Sequence, residues 1–326
     1  MIFLIQKTLI FAIPLLIVAL AGMFAERSGI INIALDGIMI FGSFTGALTA
    51  YLLRKSAFFV DNNQLTFVIA LAVAAVTGAL FSLLLSFSAI KLKADQTIGG
   101  TALNLLAPAI ALFFIKIFFT KDNLEMEMAV DGSGKSRDFG YVILNDDISD
   151  FGKIFFDKAY ISTYIAVALF VILSIFIYKT KTGLRLRSCG EHPQAAASVG
   201  IDVNRMRYLG TTISGALAGF GGYAYVATVA NGTASGAVEG MGFLALAIMI
   251  FGNWKPIGIA FGALLFGFLK CIGVIYPQFE FLNSLNLPMY FYNLIPYVAV
   301  LVVLAFTSKR SRAPKAEGIP YDKGAR

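Results

Sequence analysis

Long apolar stretches separated by short polar ones dominate the chain, and their lengths fit membrane crossings. A helix rises 1.5 Å per residue, so roughly 20 apolar residues cross ~30 Å of hydrocarbon. Residues 8–25, 37–53, 62–90, 96–115, 159–178, 208–238 and 281–308 contain no Asp, Glu, Lys or Arg, and 240–269 holds only Lys255. None alternates in the period-two manner of an outer-membrane barrel strand. The pattern predicts an all-α integral membrane protein, a polytopic bundle of about nine (8–10) transmembrane helices with broken helices in places. The first run follows Lys7 and exceeds the usual apolar core of a signal peptide, so it reads as an uncleaved span.

Composition agrees: of 326 residues, 58% are hydrophobic and 14% charged, against about 25% charged in soluble domains. The charges that remain orient the chain, because Lys and Arg concentrate in cytoplasmic loops. Residues 179–207 carry Lys179, Lys181, Arg185, Arg187, Arg205 and Arg207 against Glu191 and Asp202. The tail carries Lys309, Arg310, Arg312, Lys315, Lys323 and Arg326 against Glu317 and Asp322. Both segments are expected on the cytoplasmic side, with four crossings between them. Residues 120–158 hold nine acids against five bases and are expected outside. The domain reading is a transmembrane domain over 1–307, with external loop 120–158 and cytoplasmic loop 179–207, followed by a disordered basic tail over 308–326. The net charge of +7 then belongs to membrane orientation and lipid contact, not to nucleic acid. Trp254 and Lys255, in the turn before Pro256, are expected to anchor at the interface.

Five features invite a chemical reading. Ala129-Val130-Asp131-Gly132-Ser133-Gly134-Lys135-Ser136 imitates a phosphate loop, but no helix-forming run follows it and it sits in the acidic loop, so nucleotide binding is not expected there. Residues 25–37 place Glu26, Arg27, Asn32 and Asp36 between apolar runs and between Gly29 and Gly37. Such a segment is either a cytoplasmic turn or a broken helix lining a polar cavity. A second interrupted region, 231–262, contains Glu239 and repeats Ile38-Met39-Ile40-Phe41-Gly42 as Ile248-Met249-Ile250-Phe251-Gly252, a candidate internal repeat. Asn104 lies inside an apolar run and needs a partner, either a neighbouring helix or a ligand. Gly210, Ser214, Ala218 and Gly222 recur every four residues, the small-residue spacing of close helix packing.

Between Pro193 and Gly200 a first-turn proline and a terminal glycine bracket one short helix, too short to persist alone in water. Either a partner or the bundle itself must support it. His192 is the one histidine, and Cys189 and Cys271 are far apart, so no metal site is expected and the cysteines read as packing residues. No nucleophile–base pair or usable phosphate loop is visible, so neither catalysis nor a cofactor is expected.

Three of these segments resemble one family. Glu26-Arg27-Ser28-Gly29-Ile30-Ile31-Asn32-Ile33-Ala34-Leu35-Asp36-Gly37 is similar to the signature of permease subunits in the nucleoside and simple-sugar branch of ABC importers, a group related to ribose and branched-chain amino-acid permeases. Arg187-Ser188-Cys189-Gly190-Glu191-His192-Pro193-Gln194-Ala195-Ala196 resembles its cytoplasmic motif. The stretch from Gly240-Met241-Gly242-Phe243 to Phe251-Gly252-Asn253-Trp254-Lys255-Pro256-Ile257-Gly258 resembles its third motif. Asp36 and His192 stand where the family usually has Glu and Asn.

The resemblance implies a pair of permeases in the bacterial inner membrane, from this chain twice or from a paralogue, with cytoplasmic ATP-binding subunits and an external substrate-binding lipoprotein or periplasmic protein. It implies that Gly190, Glu191, His192, Pro193, Ala196 and Gly200 belong to the coupling helix that seats in the ATPase. It also implies a path bordered by Asn32, Asp36, Asn104, Glu239 and Phe243 for a neutral ring-bearing solute. The resemblance favours nucleosides, with riboflavin or a simple sugar as alternatives and a stand-alone secondary carrier behind them. A membrane-embedded enzyme is the remaining class, and the lack of a reactive constellation argues against it.

Overall fold

The structure is a computed structural model that describes residues 2–126, 160–278, 284, 287–307 and 312–324. The phosphate-loop imitation and most of the acidic loop fall within 127–159, outside the described residues. The elements follow the apolar runs. Helix α1 spans Ile2–Arg27, α2 Leu35–Leu53, α3 Ala57–Asp61, α4 Asn63–Ile90 and α5 Gln96–Phe119. Strand β1 (Leu124–Glu125) leads toward α6 (Ile161–Lys179), α7 (Lys181–Glu191), α8 (Pro193–Ser198) and α9 (Val203–Thr228). Strand β2 (Thr233–Ala234), α10 (Met241–Phe251), α11 (Pro256–Ile275), a 3-10 turn (Tyr276–Gln278) and α12 (Met289–Thr307) complete the order.

Local chemistry sets several boundaries. Asp95 caps α5 by accepting the N–H groups of Thr97 (2.7 Å) and Ile98 (3.1 Å), an ordinary use of a carboxylate at a helix start. Those two bonds hold the Asp95 carboxyl below its usual range. Asp202 caps α9 through the N–H of Arg205 (3.1 Å), and Pro193 and Pro256 open α8 and α11 as first-turn prolines. Gly200 follows α8 with φ +83°, the left-handed termination that glycine makes cheap.

Among the described residues, α1, α2, α4, α5, α6 and α11 (extended to Gln278) are long and apolar enough to cross a membrane, and α10 and Met289–Val303 of α12 are shorter apolar helices. With α9, which is 26 residues long, they make a multi-pass membrane bundle. Burial separates centre from rim: 83% of the apolar window of α1 is buried but only 17% of that of α6. Rim helices carry exposed Leu105, Phe118, Ile172 and Leu301, the surface that lipid requires.

Helix α9 is the centre. Added Cβ atoms at Gly219 and Gly222 would meet the backbones of Ala74 and Met39, on α4 and α2 respectively. Only a missing side chain permits approaches this close, and here three helices use them at once. Gly210 lies against Ser28, Ala218 is fully buried, and Ser214 faces the turn between α1 and α2. Hydroxyls bind the same seam: Ser86 bonds Thr211, and Ser82 donates to the Thr211 carbonyl (3.1 Å).

Three expectations change. First, the tail beyond residue 308 is not free throughout, because residues 312–324 pack on the bundle. Ala316 is buried and donates its N–H to the Gly190 carbonyl (2.8 Å), Gly318 donates to the Gly29 carbonyl (3.3 Å), and Lys93 pairs with Asp322 (3.1 Å). Backbone bonding supplies the order that a polar composition hides. Second, Trp254 is no interface anchor: it is buried and its indole N–H donates to the carboxylate of Glu26. Third, the pentapeptide is not a structural repeat. It fills the second turn of α2 but the last turn of α10.

Candidate functional site

The chain between α1 and α2 does not stay at the bundle's edge. Ile31 N–H donates to Gln96 Oε1 (2.7 Å) at the start of α5. Asn104, two turns further along α5, donates through Nδ2 to the Ile33 carbonyl (2.9 Å) and accepts the Gly37 N–H at Oδ1 (2.7 Å). Gln96 and Asn104 lie eight residues apart, about 12 Å along α5, so the segment joining α1 to α2 runs beside α5 before α2 is under way. Irregular backbone at such depth must find its partners inside the protein, and the two α5 amides supply them. The segment is irregular backbone held by two α5 amides, and its Arg27 end lies against Gly190 of the basic loop.

Helix α10 begins at a matching depth from the other direction. Its 11 residues measure about 16 Å, half of a crossing. At one end Gly242 N–H donates to Asp36 Oδ1 (2.9 Å). At the other, Trp254 reaches Glu26, and Arg27 donates to the Trp254 carbonyl (3.1 Å). Two helix N-termini therefore converge on the Asp36 carboxylate, where their positive dipole ends offset the cost of a charge at this depth.

The approach to α10 is a strained segment. Asn231, Gly232, Gly236, Glu239 and Gly240 all have positive φ, and two of them are not glycine, which stores strain that neighbouring contacts must hold. Those contacts are present. Strand β2 pairs antiparallel with β1, Met126 N–H donates to the Gly232 carbonyl (2.8 Å), and Tyr297 Oη–H donates to the Glu239 carbonyl (2.7 Å). The Lys270 ammonium lies 3.6 Å from the Glu239 carboxylate and 5.1 Å from the Tyr297 ring centre. The Lys270 side chain is 10% exposed and that of Glu239 69%.

The five expected path residues thus divide by placement. Asp36, Glu239 and Phe243 gather at the start of α10, and Phe243 is 49% exposed. Asn104 faces the turn's backbone, and Asn32 is fully buried with Nδ2 donating to Ser214 Oγ (2.8 Å). Gln96, Lys270 and Tyr297 were not singled out for this site. A lysine in an otherwise apolar helix was the available signal for Lys270, whereas nothing in the sequence marks Gln96 or Tyr297.

At the bundle end that carries the basic loop, α7 and α8 form an elbow. Cys189, Ala196 and Val203 pack as one buried cluster, so the bundle supports α8 on one side, with Pro193 also buried, while His192 and Val199 are exposed. A Cβ at Gly190 would strike the Arg27 carbonyl, which places the elbow against the end of α1. Arg27 Nη1 lies 3.6 Å from Glu191 Oε1. Cys271 packs with Phe11 and Ile275.

Short helices that start within an apolar bundle are a recurring feature of membrane transporters. The chain belongs to the branched-chain amino acid transport system / permease component family, matched over residues 4–304. It is 39% identical over 325 residues to the guanosine ABC transporter permease protein NupQ of Bacillus subtilis, covering 99% of this chain and 97% of that protein. Similarity to the nucleoside ABC transporter permease protein NupC of Lactococcus lactis is 34% over 321 residues, covering 98% and 96%. The nucleoside ABC transporter permease protein NupB of the same species is 36% identical over 111 residues, covering 34% and 30%. No solved structure matches the chain. Membership makes the protein a transport component, not an enzyme.

Proposed function

We propose that the protein is the membrane-spanning permease subunit of an ATP-binding-cassette importer for nucleosides, resident in the bacterial cytoplasmic membrane. Near full-length similarity to proteins named for guanosine and nucleoside transport carries the substrate class. The convergence of α2 and α10 on Asp36 supports the position of the path. A neutral nucleoside suits that place: the Phe243 ring offers a stacking face for a base, and the Asp36 carboxylate and Glu239 accept hydroxyl donors from a sugar. Asn32 and Asn104 hold the path's backbone in this reading and do not touch the solute.

Energy comes from outside the chain. The basic loop over 179–207 faces the cytoplasm, and the α7–α8 elbow, with Gly190, Glu191, His192, Pro193, Ala196 and Gly200, is the seat for an ATP-binding subunit. Residues 120–158 face outward, toward a substrate-binding lipoprotein. Lactococcus lactis has both a NupB and a NupC permease, which supports a second, paralogous permease as the other half of the path.

The test is uptake of radiolabelled guanosine and uridine by cells with and without the gene. Loss of uptake on deletion, restored by the wild-type gene and restored with a raised KM by Phe243→Ala, is the expected result. Unchanged uptake on deletion overturns the nucleoside assignment.

A further inference from the structure

Residues 312–324 turn several separate connections at the basic end into one surface. Beyond the bonds of Ala316 and Gly318, Arg312 N–H donates to Asn253 Oδ1 (2.9 Å) in the turn between α10 and α11. Between this segment, that turn and the α7–α8 elbow lies an open cleft of about 780 Å³. Its charged lining is Arg27, Lys255, Arg312 and Lys315 against Glu191, four cations and one carboxylate.

Arg27 is engaged with Glu191 and the Trp254 carbonyl, yet its buried Nε has no partner. Lys255, Arg312 and Lys315 form no ion pair among the described residues. Three unneutralised cations around one concavity focus a positive potential that draws an acidic ligand.

We propose that this cleft docks an acidic segment of the ATP-binding subunit, so that residues 312–315 complete the seat that α8 begins. The inference rests on the importer reading above and extends it to a part of the chain outside the coupling loop. A protein segment fits better than a phospholipid headgroup. Carboxylates spaced along a peptide can meet Lys255, Arg312 and Lys315 separately and avoid Glu191. A single phosphate does neither.

The experiment titrates the ATP-binding subunit onto the full permease in nanodiscs and reads affinity and ATPase stimulation. Arg312→Glu/Lys315→Glu is expected to weaken binding at least tenfold, with a shallower dependence on salt, while Lys323→Glu, outside the cleft, stays within twofold. Lys255→Glu sits on a different element and is expected to show the same loss while the Ala316 and Gly318 amides remain protected from exchange. Binding by both cleft variants equal to that of the wild type overturns the proposal. A loss seen only in nanodiscs containing anionic phospholipid also overturns it and assigns the cleft to a headgroup. Failure of the wild-type permease to bind the ATP-binding subunit removes the importer reading and this one together.

Discussion

Asn104 separates a residue that shapes the path from one that meets the solute. Its side chain makes two bonds to the turn between α1 and α2, at 2.7 Å to the Gly37 N–H and 2.9 Å to the Ile33 carbonyl. Asn104→Leu keeps the branched side-chain shape and removes both. In soluble cores each stranded backbone group costs about 1–3 kcal/mol. Side-chain hydrogen bonds in a membrane protein average only about 0.6 kcal/mol. With two bonds lost, the expected loss is therefore between about 1 and 6 kcal/mol. Asn104→Asp keeps the acceptor for Gly37 but sets a carboxyl group against the Ile33 carbonyl among apolar neighbours, and should cost at least as much. The protein has one tryptophan, buried against Glu26, so Trp254 fluorescence during unfolding by sodium dodecyl sulfate in mixed micelles reports stability without a label. Uptake measured on the same variants completes the comparison. If Asn104→Leu unfolds at the wild-type detergent fraction while uptake falls tenfold, the backbone-holding argument is wrong and Asn104 meets the solute.

Three further outcomes are expected. Gly222→Leu forces α9 away from the Met39 backbone and should destabilise the bundle by at least about 1–3 kcal/mol, the usual cost of overpacking, read by the same unfolding assay; wild-type stability refutes the seam. Lys270→Met should leave global stability within about 1 kcal/mol, since its partner Glu239 is largely exposed, but should speed amide exchange over 231–240; unchanged exchange means that the pair does not hold the strained segment. For Glu317, burial pushes the carboxyl up to about 7, with its bond to Glu26 and the charge of Arg27 pulling the other way. A carboxyl with a raised pKa in the docked state binds its proton more tightly there, so docking of 312–324 is strongest below the ordinary value of 4.5, weakens as pH rises and levels off above about 7. Exchange at Ala316 should report this, and Glu317→Gln should flatten it.

How far the residues alone revealed this molecule depends on what holds each part together. Burial in hydrocarbon is a bulk property, so charge-free runs at 62–90 and 96–115 give Asn63–Ile90 and Gln96–Phe119 with little change. The every-fourth-residue stripe on α9 was readable for a similar reason, because close approach demands small side chains whatever the partner. Asn32 and Asn104 stood out as polar residues in apolar surroundings, but the sequence could not say which group each would find. One found a hydroxyl on α9 and the other a backbone 67 residues away. The docking of 312–324 left no mark, because main-chain atoms of Ala316 and Gly318 do much of the bonding and every residue has those atoms. Trp254 misled by chemistry: an indole prefers an interface until a buried carboxylate offers its N–H a better acceptor.

Helix α10 is a short rod clamped at both tips by side chains at the facing ends of α1 and α2, with Glu26 and Arg27 at the Trp254 end and Asp36 at the Gly242 end. It contains no proline or internal glycine beyond its first turn, so nothing along it absorbs a push. The turn at Asn253, which also holds Arg312, and the Asp36 carboxylate are thus joined through one unbroken helix. Lengthening α10 by one residue would turn its tips about 100° relative to each other. Both clamps could then no longer close together.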